Sequence, residues 1–364
     1  MWYNRRRASV RRTRSLILED VDLKRIAPVV FLIVLFLGST NCSVTPATSA
    51  TVPVTKTSSA SATIALPTAL EATVAPTATA TRRPSPTPSI DLEKLGKIDR
   101  DVTYCNADSV ALKMDLYYPL KVTGRPAPVA VNVHGGSWSA GDKRNSETMI
   151  DIPELVRRGY FVAAVDYRLA PNYKFPAQIE DVKCAVRYLR ANAAKYNLDP
   201  NRIGAWGCSA GGNLAAMLGL TDGIAEFEGS GGYPQQSSRV QAVVAMSAPA
   251  DFMLTSYNIT HDKVFARVFG ATSNTDPILA HFSPVRYVSK NAPPFFVLGG
   301  DKDETVPMQQ SEELARRLNQ AGASATLQIA KNGHHCLPDN SPPMEPSRAA
   351  ITQMIASFFD WELR

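Results

Sequence analysis

From residue 91 onward, apolar runs rich in β-branched and aromatic residues alternate with stretches whose apolar positions recur at helical spacing. The runs predict strands at Leu112–Tyr118, Val129–Val133, Phe161–Tyr167, Arg202–Trp206, Val240–Met246, Pro294–Leu298 and Ala325–Ile329. The periodic stretches predict helices at Glu147–Arg158, Pro176–Tyr196, Ala210–Leu220, Met308–Ala321 and Pro346–Leu363. Beyond the first strands, strand alternates with helix. That order predicts an α/β fold whose mostly parallel central sheet is covered by helices on both faces. Ser247–Ser289 separates two strands by more residues than a crossover needs. Its Asp251, Phe252, Tyr257, Phe265 and Phe269 predict a small inserted helical flap, and loops of this length in compact domains are usually functional.

The first 90 residues follow a different pattern. A basic stretch over residues 1–25 leads into an apolar core, Ile26 to Gly38, of about a dozen residues. A membrane-crossing helix needs ~20 apolar residues. Residues 1–42 therefore read as a signal peptide or N-terminal membrane anchor of an exported protein. Cys42 stands where a bacterial lipoprotein cysteine would sit, although Ser39 and Asn41 depart from that pattern; the alternative is an ordinary cysteine beyond a cleavage site or anchor. Residues 43–90 are mostly Thr, Ala, Ser, Pro and Val, with no hydrophobic period and no aromatic residue. Such a segment cannot bury enough surface to offset its ordering entropy, so it reads as a disordered linker. A flexible chain of that length spans about 40 Å. Residues 91–364 form the predicted globular domain.

Charge adds one exclusion. Of the formal net charge of +6, residues 1–25 carry +5 and residues 43–90 carry +2, leaving −1 on the globular part. The basic balance belongs to the leader and gives no reason for a nucleic-acid partner. Any membrane association would run through the N-terminal segment. Four cysteines fall in the globular part: Cys105, Cys184, Cys208 and Cys336. Their spacing matches no zinc pattern. An exported domain can oxidise a pair of them, but spacing does not choose the pair, and buried free thiols are the alternative.

Three motifs carry candidate chemistry. Gly207-Cys208-Ser209-Ala210-Gly211 lies between an apolar run and a small-residue helix start. Strand, Gly-x-Ser-x-Gly, helix is the context of a nucleophile elbow, in which the Ser209 hydroxyl is exposed at a helix N-terminus. His134-Gly135-Gly136-Ser137-Trp138 follows a strand, and consecutive glycines let backbone N–H groups converge on an oxyanion, with the Ala210 N–H completing the hole. His134 itself reads as organising the turn. Trp138 reads as a wall of the substrate pocket, with core packing as the alternative. Asp301, Asp303 and Glu304 follow a late strand, where an acid can orient a catalytic imidazole, and spacing leaves the three open. His334-His335-Cys336 follow the last strand. A late histidine completes the chain order Ser, acid, His. Adjacent histidines rarely direct both rings at one ion, so metal binding is not expected, and serine chemistry needs no cofactor.

With these motifs in view, the chain resembles α/β-hydrolases of the acetyl esterase/lipase type, close to carboxylesterases of the hormone-sensitive-lipase kind and to bifunctional feruloyl and acetyl-xylan esterases. The matching pieces include His134 to Trp138 with Gly141-Asp142-Lys143, Asp166-Tyr167-Arg168-Leu169-Ala170-Pro171, Phe175-Pro176-Ala177, and Gly207 to Gly212. Ser283-Pro284, Pro293-Pro294-Phe295 and Gly300 to Pro307 complete them. The resemblance implies an α/β-hydrolase fold and a Ser209–Asp303–His334 triad. It also implies oxyanion donors on Gly136, Ser137 and Ala210, and a structural pairing of Arg168 with Asp181. His335 and Cys336 depart from the residues usual at those positions. The expected activity is hydrolysis of small acyl esters, with acetylated or feruloylated sugars or polysaccharides as implied substrates. The alternatives are an arylformamidase, amidase or peptidase on the same fold and, from another class, a non-catalytic binding domain. Oligomeric state is not legible.

Overall fold

The computed structural model describes residues 94–364 apart from 122–123, 255–261, 274 and 341. The leader, the linker, Cys42, Tyr257 and His261 lie outside the described residues. The strands are β1 (Ile98–Ala107), β2 (Val110–Tyr117), β3 (Ala127–Val133), β4 (Phe161–Val165), β5 (Leu198–Cys208), β6 (Ala242–Met246), β7 (Phe295–Gly300) and β8 (Ala325–Ala330). They form one sheet in the order β1-β2-β4-β3-β5-β6-β7-β8. The β1–β2 and β2–β4 pairs are antiparallel and all others are parallel.

The helices are α1 (Ile152–Arg157), α2 (Ala177–Ala191), α3 (Ala193–Tyr196), α4 (Ala210–Leu220), α5 (Ala225–Glu228), α6 (Asp262–Phe269), α7 (Pro277–His281), α8 (Gln309–Gln320) and α9 (Arg348–Leu363). Alternate residues of each central strand enter different cores, as the pleat requires. Val129, Val131 and Val133 join one core with residues of α2, α4 and α8, whereas Ala130 joins the other with residues of α1 and α9. Both faces are thus buried, which is why the central strands read as continuous apolar runs. No helix among the described residues is long and apolar enough to cross a membrane.

Each predicted strand exists, with ends shifted by a few residues, and a further strand, β1, precedes them. Its polar start, Ile98-Asp99-Arg100-Asp101, and two register irregularities against β2 hide the alternation of an edge strand. The helix expected at Pro176–Tyr196 breaks at Asn192 into α2 and α3. That expected at Glu147–Arg158 begins as a 3₁₀ turn, Glu147–Asp151, before α1. The expected flap is present as α6, α7 and a 3₁₀ turn at Pro284–Tyr287. Phe252, Phe265 and Phe269 are buried there, and Trp138 meets Phe252 and Phe269 edge-on at 5.9 and 5.2 Å.

Candidate active site

Ser209 occupies the turn between β5 and α4 with φ 57° and ψ −126°, a region that side chains rarely adopt. The elbow survives because its flanks are glycine. A Cβ at Gly211 would stand 2.1 Å from the Val133 carbonyl oxygen, and one at Gly207 would stand 2.5 Å from the Gly211 carbonyl carbon. The Ser209 N–H donates to the Met246 carbonyl at 3.0 Å, anchoring the turn to β6. This also places the hydroxyl above the C-terminal ends of the parallel strands, where α/β sheets bind ligands.

The loop after β3 lies against this turn. A Cβ at Gly135 would be 3.6 Å from Ser209 Cβ and 3.5 Å from the Glu147 carboxylate. Gly136, Ser137 and Trp138 all have positive φ (106°, 52° and 55°), and a Cβ at Gly136 would collide with the Ala140 carbonyl. This coiling frees the Gly136 and Ser137 N–H groups, which donate no hydrogen bond to the described residues. The Ala210 N–H, at the first position of α4, has no intrahelical acceptor. Two of these donors thus lie on the loop packed against the elbow and the third on the elbow itself.

The loop is held from below by the motif residues that accompany it. The Tyr167 hydroxyl donates to the His134 carbonyl at 3.0 Å, and its ring stacks on the His134 imidazole with centroids 4.1 Å apart. Asp166 accepts from the Lys143 N–H and Nζ at 2.7 and 2.6 Å. His134 Nδ1 lies 2.7 Å from the Gly135 carbonyl, and burial holds the imidazole below its ordinary pKa. His134 is thus buried and bonded within the turn on both its carbonyl and its ring. Trp138 is buried against the flap phenylalanines, and its Nε1 has no hydrogen-bond partner among the described residues. Arg168 and Asp181 pair as expected, with Arg168 Nε and Nη2 donating to the carboxylate at 2.8–3.0 Å.

The candidate acid and base come from the loops after β7 and β8. The buried Asp303 carboxylate accepts the N–H groups of Thr305 and Val306 at 3.0 and 2.8 Å. Its histidine partner is His335, not His334. His335 Nδ1 lies 3.0 and 2.9 Å from the two carboxylate oxygens. The expectation that His334 faces Asp303 is therefore corrected. The reason lies in the backbone of the loop. The Leu337 N–H donates to the His334 carbonyl at 2.9 Å, closing a turn in which Cys336 has φ 62°. Adjacent residues of a turn point different ways, and this one directs the second imidazole at the acid. No Ser209–His335 hydrogen bond forms among the described residues; such bonds often tighten only once substrate is bound. Asp301 and Glu304 are exposed and do not share the histidine contact.

The cysteines supply what the residue pattern left open. Both pairs are joined: Cys105 to Cys184, and Cys208 to Cys336. The second bond ties the residue before Ser209 to the residue after His335. Cys208, His335 and Cys336 are close enough to group around an ion, but disulfide sulfurs are not the thiolates that ligate metals.

Known proteins resemble this chain over much of its length. Esterase LipC of Mycobacterium tuberculosis (strain ATCC 25618 / H37Rv) is 32% identical over 234 residues, covering 62% of this chain and 57% of its own. The chain spans about half the length of the curated relatives it matches. A truncated carbohydrate esterase from gut microbiota superposes with a TM-score of 0.65 at 29% identity, covering 74% of this chain and 97% of that one. An acetyl ester-xyloside bifunctional hydrolase from Caldicellulosiruptor lactoaceticus superposes with a TM-score of 0.58 at 25% identity, covering 70% and 89%. The BD-FAE family model matches residues 114–318, from β2 through the elbow and the Asp303 loop into α8. With its sheet order, nucleophile elbow and glycine loop in that frame, this chain belongs to the BD-FAE family of α/β-hydrolases.

Proposed function

We propose that this protein is an exported serine carboxylesterase that hydrolyses small acyl esters, acetylated sugars among them. The observation that carries the reading is the His335–Asp303 pair, which the adjacent Cys336–Cys208 bond joins to an elbow serine, with the Gly136 and Ser137 N–H groups donating to none of the described residues on the loop packed against that elbow. Asp303 accepts the proton on Nδ1, which leaves Nε2 of the neutral imidazole as the base. Ser209 Oγ attacks the ester carbonyl as Nε2 takes its proton. The oxyanion is stabilised by Gly136, Ser137 and Ala210, each donor contributing up to ~3–4 kcal/mol in the transition state. The imidazolium, steadied by Asp303, protonates the leaving alcohol, and water then deacylates Ser209 by the same route. The residues that do this belong to the protein alone.

The sugar-ester substrate is supported by the carbohydrate esterase and the acetyl ester-xyloside hydrolase among the similar structures. Export is supported by the leader-like residues 1–42 and by two disulfides, which persist in oxidising compartments. On this reading residues 43–90 are the spacer that holds the enzyme off a cell surface. The test is hydrolysis of p-nitrophenyl esters from acetate to palmitate, with acetylated xylan beside them and Ser209→Ala as control. Serine-dependent turnover of short chains and release of acetate from xylan are expected. Absence of turnover on every ester by folded protein would overturn the reading.

A further inference from the structure

Each of two catalytic motifs contains one cysteine. Cys208 directly precedes Ser209, Cys336 directly follows His335, and the two form a disulfide with Cα atoms 5.7 Å apart. Both are buried. The two sulfurs and a ring nitrogen of His335 lie within 4.8 Å of one another. At both ends the bond meets backbone in the left-handed region: Ser209 at φ 57°, Cys336 at 62° and Leu337 at 54°. Consecutive side-chain-bearing residues in that region need outside support to persist. Hydrogen bonds also hold the loop, among them the Leu337 N–H to the His334 carbonyl, the Cys336 N–H to Ser247 Oγ at 3.2 Å, the Lys302 N–H to the Gly333 carbonyl at 2.9 Å and Asn340 Nδ2 to the Asn332 carbonyl, but none of these reaches the elbow. The His335–Asp303 contact adds a further restraint, but neither residue of that pair belongs to the elbow. The His335 side chain is 26% exposed while that of Asp303 is fully buried, so packing alone does not lock the ring.

We propose that the Cys208–Cys336 disulfide is the positioning element that holds His335 over Ser209, so that full turnover requires this bond. The inference rests on the triad reading above. Proton transfer between Ser209 and His335 depends on their separation, and misplacement by about 1 Å can cost ~10²-fold in rate. The bond joins the two loops that carry these groups. Two of the three proposed oxyanion donors, Gly136 and Ser137, and the flap lie on other segments, so substrate binding should survive its loss. Cys105–Cys184 joins β1 to α2 and touches neither loop, which makes it the matched control.

The experiment compares Cys208→Ser/Cys336→Ser and Cys208→Ala/Cys336→Ala with Cys105→Ser/Cys184→Ser and the unaltered chain. It measures kcat and KM on p-nitrophenyl acetate, the phosphonylation rate of Ser209, and circular dichroism. Chelator is present throughout, because two free thiols beside His335 would form a zinc-binding set. In parallel, the unaltered protein is treated with dithiothreitol until peptide mass spectrometry finds the Cys208–Cys336 bond open. That step passes two electrons and two protons to the bond, yielding two thiols as the reagent closes to its own disulfide. The expected result is a kcat lower by ~10- to 100-fold, with KM within about 3-fold and an unchanged spectrum. Phosphonylation should slow in parallel, and reoxidation of the reduced protein should restore the rate. The control pair should keep its kcat. Unchanged kcat with the bond absent, equal loss in the control pair, or failure of both variants to fold would each overturn the proposal. Failure of the esterase reading looks different, because the oxidised, unaltered protein would then be inactive or Ser209→Ala would still turn over.

Discussion

At the scale of single residues, the site separates neighbours that composition cannot. His334 and His335 are both partly buried, yet only the second contacts Asp303. His335→Ala should therefore abolish hydrolysis of p-nitrophenyl acetate, whereas His334→Ala should retain activity within a few-fold of the parent. The opposite ranking would return the base to His334. Asp303→Asn should lower kcat by ~10⁴-fold, since an amide cannot hold the imidazole in the productive tautomer. Asp301→Asn and Glu304→Gln should stay active in the same assay. His134 carries a pH prediction. Burial depresses its folded pKa below the unfolded value of 6.5, so the unfolded chain binds the proton more readily. The stabilising contribution of the neutral ring is full above that pH and is lost as pH falls below it. The melting temperature should drop between pH 7 and pH 5, and by less in His134→Gln, as thermal unfolding across that range would show.

At the scale of elements, peripheral anchors define how the site is held. The antiparallel edge strand β1 is tied to α2 by Cys105–Cys184, which bridges 79 positions of sequence. By chain entropy such a link is worth about 4–5 kcal/mol, and losses of ~2–5 kcal/mol are typical on removing one. Removing this pair should lower the midpoint of denaturant unfolding without altering kcat. Arg168, just beyond β4, reaches α2 through Asp181 and Glu180. Arg168→Ala would leave the buried Asp181 carboxylate without its cation and should destabilise the fold by ~3–5 kcal/mol. Denaturant titration measures both effects.

At the scale of the whole molecule, loops from β3, β5, β7 and β8 meet at one edge of the sheet because these strands run parallel. The flap is coupled to that edge through aromatic contacts on Trp138, the residue after the proposed oxyanion donors. Phe269→Ala removes one ring of this cluster and creates a cavity that should cost ~3–5 kcal/mol. Loosening the flap should also shift preference toward longer acyl chains, read as kcat/KM across the p-nitrophenyl series. An unchanged chain-length profile would mean that the flap does not shape the acyl pocket.

Local pattern makes the architecture and most of the candidate site legible. Strands buried on both faces are continuous apolar runs, and an elbow admits only small flanking residues, so both leave local marks. Gly207 and Gly211 are legible for that reason, as is the order Ser209, acid, histidine. Three features depend on contacts between distant segments and are legible only in the folded chain. Tertiary structure chose His335 over His334, because the direction of a side chain depends on a turn closed by Leu337 and held by Ser247 and Cys208. It paired the cysteines, because residues 128 apart in sequence meet only once β5 and the loop after β8 share an edge of the sheet. It also added β1, whose polar start and irregular register make sense only beside β2. Local pattern encodes what one segment must bury or avoid, and contacts between distant segments fix where each side chain points.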